Sequence, residues 1–368
     1  VIKGWLSLSL EELRHHMTTL GQPPHRANQI WSWVWTKFIT DIQKMTDLPQ
    51  KWRDELSGEL VLLPLTLIDS IQENESVKLL FETLDGHHIE TVILKQDEAT
   101  EETEDPRKRL TLCISSQAGC PLGCVFCATG KLGFSRNLEV DEILAQVILA
   151  ERFIQEHPGL FGLTLTTPRK ISNIVYMGMG EPFLNWDAVK KSISILTHPK
   201  GYNLGYRHIT ISTAGIIEGI RHFTEWNQPV RLAVSLHSPF RMGRERLIPI
   251  SRSNSLDELI EVLREYQDAT GRRITFEYIL IAGVNDRLED VEGLRKLLLP
   301  FKYVLNIIPY NPVPGIELET PSRGRVQTFF RFLREAGIHA TLRKSRGKTI
   351  AAGCGQLGLL WENREVSL

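Results

Sequence analysis

From residue 110 onward the apolar positions follow two rhythms that take turns. Short runs rich in Val, Ile, Leu and aromatic residues are LTLCISS, NIVYMGMG, HITISTAG, VRLAVSLHS, RITFEYILIAG and YVLNIIPYNP. Each is followed by a longer stretch with apolar residues every three or four positions: LEVDEILAQVILAERFI, WDAVKKSISIL, IIEGIRHFTEW, SLDELIEVLREYQDA, LEDVEGLRKLLLPF and RGRVQTFFRFLREAG. The first rhythm is that of buried strands and the second that of amphipathic helices. Six strand–helix units, with a short seventh strand-like run HATLRKS, predict a parallel sheet with helical crossovers. Six units fall short of the eight in a closed barrel. The expected α/β architecture is therefore an open, partial (β/α)6 TIM-like barrel, with a doubly wound open sheet as the alternative. Neither GxGxxG nor GxxxxGKS/T occurs, which counts against a dinucleotide or P-loop site.

The chain ahead of this core reads differently. Residues 1–60 are predicted helical, as an accessory domain. Ser9 and Glu12 have the Ser-x-x-Glu spacing of a capping box, and Gly21 is a plausible stop. After Pro23-Pro24, Ile30, Trp31, Val34, Trp35 and Phe38 recur at helical spacing and are assigned to the core. SVKLLFETLDGHHIETVILK then gives two β-like runs around Asp85-Gly86, the signature of a hairpin. QDEATEETEDPRKR, 96–109, is acidic and unpatterned and reads as a linker. The division expected is 1–60 helical, 61–105 hairpin extension and linker, 106–349 core, and 350–368 a C-terminal tail.

Composition alters this picture little until the cysteines are considered. A 42% hydrophobic, 24% charged chain of 368 residues with net charge −1 is of ordinary globular type, so a nucleic-acid partner would need a local basic patch. Without a long apolar run or an apolar leader, a cytoplasmic location and no membrane contact are expected. Five cysteines are few, yet Cys120, Cys124 and Cys127 crowd into GCPLGCVFCATG, Cys113 lies just upstream and Cys354 stands near the end. Clustering and an odd number favour thiolate ligands over a disulfide framework. Zinc would take the trio plus Cys113. A redox pair of Cys124 and Cys127 would leave Cys120 unexplained. An iron–sulfur cube on three cysteines uses the whole trio and leaves one iron open. Its place after the first strand, at the barrel end where active sites are built, favours the cube.

CxxxCxxC after the first strand of a partial barrel resembles the radical S-adenosylmethionine (SAM) superfamily, whose 4Fe–4S cluster binds SAM and cleaves it reductively to a 5′-deoxyadenosyl radical. CISSQAGCPLGCVFCATG, YMGMGEPFLN, ISTAG, LAVSLHSP, IPYNPVPG and RKSRGKTIAAGCGQL are further similar to the radical SAM adenine-C2 methyltransferases. Those enzymes modify adenine 2503 of 23S rRNA and adenine 37 of tRNA. The resemblance implies Cys120, Cys124 and Cys127 as cluster ligands, and Gly180, Glu181, Ser212, Ser235, Leu236, His237 and Asn311 as SAM contacts. It implies Cys354 as an S-methylcysteine carrier, Cys113 as its resolving partner through a disulfide bond, and Glu90 as the proton acceptor. A monomer reduced by a flavodoxin or ferredoxin is the expected setting.

The chemistry suits the division of cysteines. Adenine C2 is electron-poor, so a thiolate must take the sulfonium methyl first. Two departures from the family pattern are Gly353, where alanine usually precedes the carrier cysteine, and Ala351, where an acid usually stands. Basic clusters at Arg241, Arg244, Arg246 and Arg252, and at Arg343, Lys344, Arg346 and Lys348, are candidate phosphate contacts, with solvated surface the alternative. The alternative functions are a C8-methylating resistance enzyme, a radical SAM enzyme on another substrate, and a zinc-stapled RNA-binding module.

Overall fold

The computed structural model describes residues 4–57, 60, 62–73, 76–96, 109–163, 171–343 and 350–358, excepting the side chains of Gln96 and Arg109. The N-terminal part contains α1 (Leu10–Thr19), α2 (His25–Lys37) and α3 (Gln50–Leu56). The capping box forms as expected: Glu12 N–H donates to Ser9 Oγ at 3.2 Å and Ser9 N–H donates to Glu12 Oε2 at 2.6 Å. Ile30, Trp31, Val34, Trp35 and Phe38 are all buried. Trp31 docks this layer on the core. Its ring meets His198 edge-on at 5.3 Å, and a Cβ at position 201 would lie 2.6 Å from its Nε1, so Gly201 is required there.

Next come β1 (Leu65–Glu73), β2 (Ser76–Thr83) and β3 (His88–Gln96), joined in antiparallel register. The hairpin at Asp85-Gly86 was expected, with Gly86 at φ +81°. Strand β1 was not. It is an edge strand, largely exposed on both faces, and a register shift between Leu67 and Asp69 breaks its alternation. Strand β3 pairs antiparallel with β4 (Arg109–Cys113), so the meander continues the core sheet.

The core then alternates as anticipated. After β4 come a ribbon of β5 (Gln117–Gly119) and β6 (Phe134–Asn137) flanking short α4 (Ala128–Leu132), then α5 (Val140–Glu156) and β7 (Ile171–Tyr176). There follow α6 (Trp186–Leu196), β8 (Ile209–Thr213), α7 (Ile217–Trp226), β9 (Arg231–Ser235), short α8 (Arg241–Leu247) and α9 (Leu256–Thr270). Then come β10 (Ile274–Leu280), α10 (Leu288–Leu298), β11 (Tyr303–Pro309), α11 (Arg323–Glu335) and β12 (Ala340–Leu342). The sheet order is β1-β2-β3-β4-β7-β8-β9-β10-β11-β12, parallel from β4 onward. A doubly wound sheet reverses its strand order at a switch point. Here the parallel strands follow chain order without reversal, as in a barrel wall. Among the described residues no helix is long and apolar enough to cross a membrane.

Candidate active site

The cysteine loop is an excursion with a narrow neck. Strand β5 ends at Gly119, the chain runs through Cys120–Cys127 into α4, and β6 returns beside β5. Gly119 has φ +76°, and a Cβ there would fall 2.0 Å from the Gly133 carbonyl oxygen. Cys120 N–H donates to that same oxygen at 2.8 Å. A second close approach sits inside the loop, where a Cβ on Gly130 would meet Cys124 N at 3.0 Å. The loop thus curls tightly enough to turn its cysteines to one side.

All three thiols border a cavity of about 190 Å³ at the C-terminal ends of the parallel strands. Burial pushes Cys120 up to about 12 and raises Cys124 and Cys127, and proximity of the thiols to one another raises Cys124 further. A trio this hard to ionise needs a multivalent cationic partner to become thiolate. Among the described residues no three His, Cys, Asp or Glu side chains converge to enclose a single ion. Lining one cavity together, the three thiols are of the soft ligand type that an iron–sulfur cluster takes.

The strand ends supply polar groups to the same cavity. Gly178 and Gly180 follow β7; Cβ atoms there would meet the Ile114 oxygen at 2.6 Å and the Gln117 side chain at 2.5 Å. Glu181 is buried. Its Oε1 accepts from Phe183 N–H at 3.1 Å and its Oε2 from Ala214 N–H at 2.7 Å, while burial lifts the carboxyl to about 7. Ser212, Ser235 and His237 also line the cavity. His237 holds a left-handed backbone (φ +56°), and its Nδ1 accepts from Ile279 N–H at 3.1 Å, which leaves the ring proton on Nε2. Burial lowers its pKa to about 3, keeping it neutral. Leu236 is buried and Asn311 touches the tail, with neither side chain among the cavity-lining groups.

The tail closes the opposite side. Gly355 O accepts from Ala128 N–H at 2.7 Å, and Leu357 O from Thr129 Oγ1 at 2.8 Å, so the tail rests on the cysteine loop. Gln356 Nε2 donates to Pro312 O at 2.9 Å, and Asn311 Nδ2 lies 3.4 Å from Cys354 O. Gly353 has a reason in this packing: a Cβ there would come within 2.7 Å of Asn311 Nδ2. Cys354 opens into the cavity, where Cys113 also lies. Burial takes Cys113 up to about 12, and the nearby Cys354 thiol adds to that rise; Cys354 is itself raised, chiefly by desolvation, against the favourable charge of Arg343. The expected disulfide is absent: among the described residues all five cysteines are free thiols.

Several residues near these thiols had no signal in the chain. Arg343, a candidate for phosphate contact or solvated surface by its sequence, instead pairs with buried Glu277 at 3.5 Å and lines the cavity, where its charge favours the thiolates of Cys113 and Cys354. Glu277 Oε2 is buried without a hydrogen-bond partner. Arg244 is also corrected. It is fully buried, donating to Ala214 O, Ser235 O and Ser251 Oγ, and cannot reach RNA. Arg241, Arg246 and Arg252 are exposed, while Lys344, Arg346 and Lys348 lie outside the described residues. Glu90 is buried on β3 and paired with Lys78 of β2, a lysine that period-2 patterning assigns to solvent.

Comparison with known proteins agrees with this architecture. Residues 114–298 match the Radical SAM superfamily, and residues 5–62 match the ribosomal RNA large subunit methyltransferase N-terminal domain. A probable dual-specificity RNA methyltransferase RlmN of Aquifex aeolicus is 41% identical, over 95% of this chain and 95% of its own. The Thermotoga maritima protein of the same description is 42% identical, over 97% and 98%. A crystal structure of a radical SAM methyltransferase from Sphaerobacter thermophilus superposes with a TM-score of 0.88 at 41% identity, covering 97% of this chain and all of that one. The fold and thiol loop therefore define a radical SAM enzyme of the methyltransferase class, and the chain belongs to the dual-specificity RNA methyltransferase RlmN family. That membership removes the non-enzymatic zinc module from the readings.

Proposed function

We propose that this protein methylates C2 of adenine in RNA, at adenine 2503 of 23S rRNA and adenine 37 of tRNA, using Cys354 as methyl carrier. The observation that carries the proposal is the convergence of all five cysteines on one cavity, three from the loop after β5, one from the end of β4 and one from the tail. Cys120, Cys124 and Cys127 would hold a 4Fe–4S cluster, which with bound SAM supplies one-electron chemistry able to remove a hydrogen atom from a methyl group. Gly180 lets the backbone approach SAM, and Glu181, with carboxyl oxygens fixed by Phe183 and Ala214 N–H groups, is placed to pair with an ammonium. Ser212, Ser235 and neutral His237 are the further SAM contacts from the cavity lining, while Leu236 and Asn311, outside that lining, are assigned by the family resemblance alone.

The thiol of Cys354 ionises against Arg343 and takes the sulfonium methyl of one SAM. The loaded carbon, having given up one hydrogen atom, bonds to C2 and tethers the substrate to the tail through sulfur. Glu90 accepts the C2 proton. The Cys113 thiolate then bonds to the Cys354 sulfur as the carbon–sulfur bond breaks. The freed carbon takes up a proton to become the methyl group, and the one surplus electron would return to the cluster held by the trio. The setting proposed is a cytoplasmic monomer served by a flavodoxin or ferredoxin.

The test is nucleoside mass spectrometry on 23S rRNA and tRNA after incubation with reconstituted enzyme, SAM and reductant. 2-Methyladenosine is the expected product from both. 8-Methyladenosine, or no methylation of either RNA, contradicts the proposal.

A further inference from the structure

Lys78 and Glu90 form an ion pair closed to solvent, with side chains 2% and 1% exposed and Nζ 3.2 Å from Oε2. The β2–β3 register sets Lys78 opposite Val92 and Glu90 opposite Leu80, making the pair diagonal neighbours on one face of the hairpin. That same face carries Val92 and Leu94 to the cavity. Among the described residues the pair's remaining side-chain hydrogen bonds both go to the tail. Lys78 Nζ donates to Ala351 O at 3.2 Å, and Gly358 N–H donates to Glu90 Oε2 at 2.9 Å. The two contacts grip the chain on either side of Cys354.

A buried ion pair is a poor source of stability compared with apolar packing, but it fixes geometry. An apolar pair here would fill the hairpin face equally well and would leave the Ala351 carbonyl and the Gly358 amide without partners. The strand below is also held: Ser115 Oγ donates to Glu90 O at 2.7 Å, and Gln146 of α5 accepts from Thr91 Oγ1 at 2.7 Å and from Ser115 N–H at 2.8 Å. Glu90 is anchored on its backbone side, so the tail is the side that can give.

We propose that Lys78 is a positioning residue that couples the seating of the Cys354 tail to the availability of Glu90. With the tail seated, Gly358 N–H occupies Oε2; when residues 350–358 lift, that contact is lost and the carboxylate stays on Lys78, whose charge opposes the rise that burial imposes on it. Proton acceptance by Glu90 therefore follows movement of the tail. The catalytic consequence rests on the function proposed above, whereas the coupling itself rests only on these contacts.

The test is amide hydrogen exchange by mass spectrometry on the full chain, comparing wild type with Lys78→Met, Lys78→Met/Glu90→Gln and Lys78→Arg. The double variant removes both charges, so it keeps the test open if Lys78→Met alone does not fold. Residues 350–358 should exchange at least tenfold faster in the single and double Met variants, with residues 140–156 at wild-type rates. Lys78→Arg should restore protection to within threefold. Single-turnover methylation of Cys354, a step that does not use Glu90 as base, should fall at least tenfold in the double variant, with SAM affinity within twofold. Wild-type exchange across 350–358 in the double variant overturns the coupling, as does unchanged Cys354 methylation there. Absence of Cys354 methylation in wild type would instead refute the proposed function and leave the exchange result standing.

Discussion

Arg244 shows how one buried side chain can organise a site. Among the described residues it heads the fully buried side chains by volume, and no carboxylate neutralises it. It bridges the carbonyls that end β8 and β9, the edge from which Ser212, Ala214 and Ser235 face the cavity. Burial lowers its pKa to about 10, still well above neutrality, so the cation persists. Arg244→Met would leave two buried carbonyls and a hydroxyl unpaired, a cost of at least about 3 kcal/mol at roughly 1 kcal/mol or more per orphaned group. Denaturant unfolding should show that loss, while the salt dependence of RNA affinity stays as in wild type. A salt slope lowered by about one would mean a phosphate contact after all. The chain offered no way to see this: Arg241, Arg244 and Arg246 share one short arginine-rich segment, and only the packing of α8 against two strand ends separates them. Lys78 is hidden for the same reason. Its strand reads as half-exposed, but the tail, some 270 residues later, covers that face.

At the scale of elements, most of the fold was legible because each core strand and helix carries its own period and the two alternate six times. Strand β1 was not, since an exposed edge strand with a bulge shows neither alternation nor continuous burial. The cysteine loop was legible by spacing, but its closure was not, because that depends on Gly119 and Gly133 meeting across a neck fourteen residues apart. A side chain at 119 collides with backbone, which cannot swing aside, and the positive φ adds strain. Gly119→Ala should therefore open the β5–β6 ribbon and scatter the three thiols while α5 and β7 remain folded. The reconstituted variant is expected to retain less than a tenth of wild-type iron with near-native far-ultraviolet circular dichroism. Full iron retention would show that the neck does not set the thiol geometry.

Across the whole molecule, one ten-stranded sheet runs from the β1–β3 meander into the parallel barrel wall, and segments distant in sequence meet at its C-terminal edge. The N-terminal helices fasten to α6 and its loop through Trp31–His198 and through Lys191, whose Nζ donates to Glu12 Oε1 at 2.6 Å. The tail fastens to the meander on one side and to the cysteine loop on the other. This arrangement gives the five thiols three mechanical settings: a rigid loop, a strand end, and a tail held by hydrogen bonds that can be exchanged. On the function proposed, the rigid trio, the strand-end thiol and the tail thiol hold separate roles in one reaction. Cys113→Ala, reconstituted with iron and sulfide and given SAM, reductant and an adenine-containing RNA substrate, separates those roles most directly. On the roles proposed, loading and coupling need Cys354 and the trio, and only release needs Cys113. The variant should accumulate a covalent protein–RNA species joined through Cys354, shifted on a denaturing gel and resistant to thiol reductants. Turnover at the wild-type rate, or cleavage of SAM with no adduct, would contradict that division of roles.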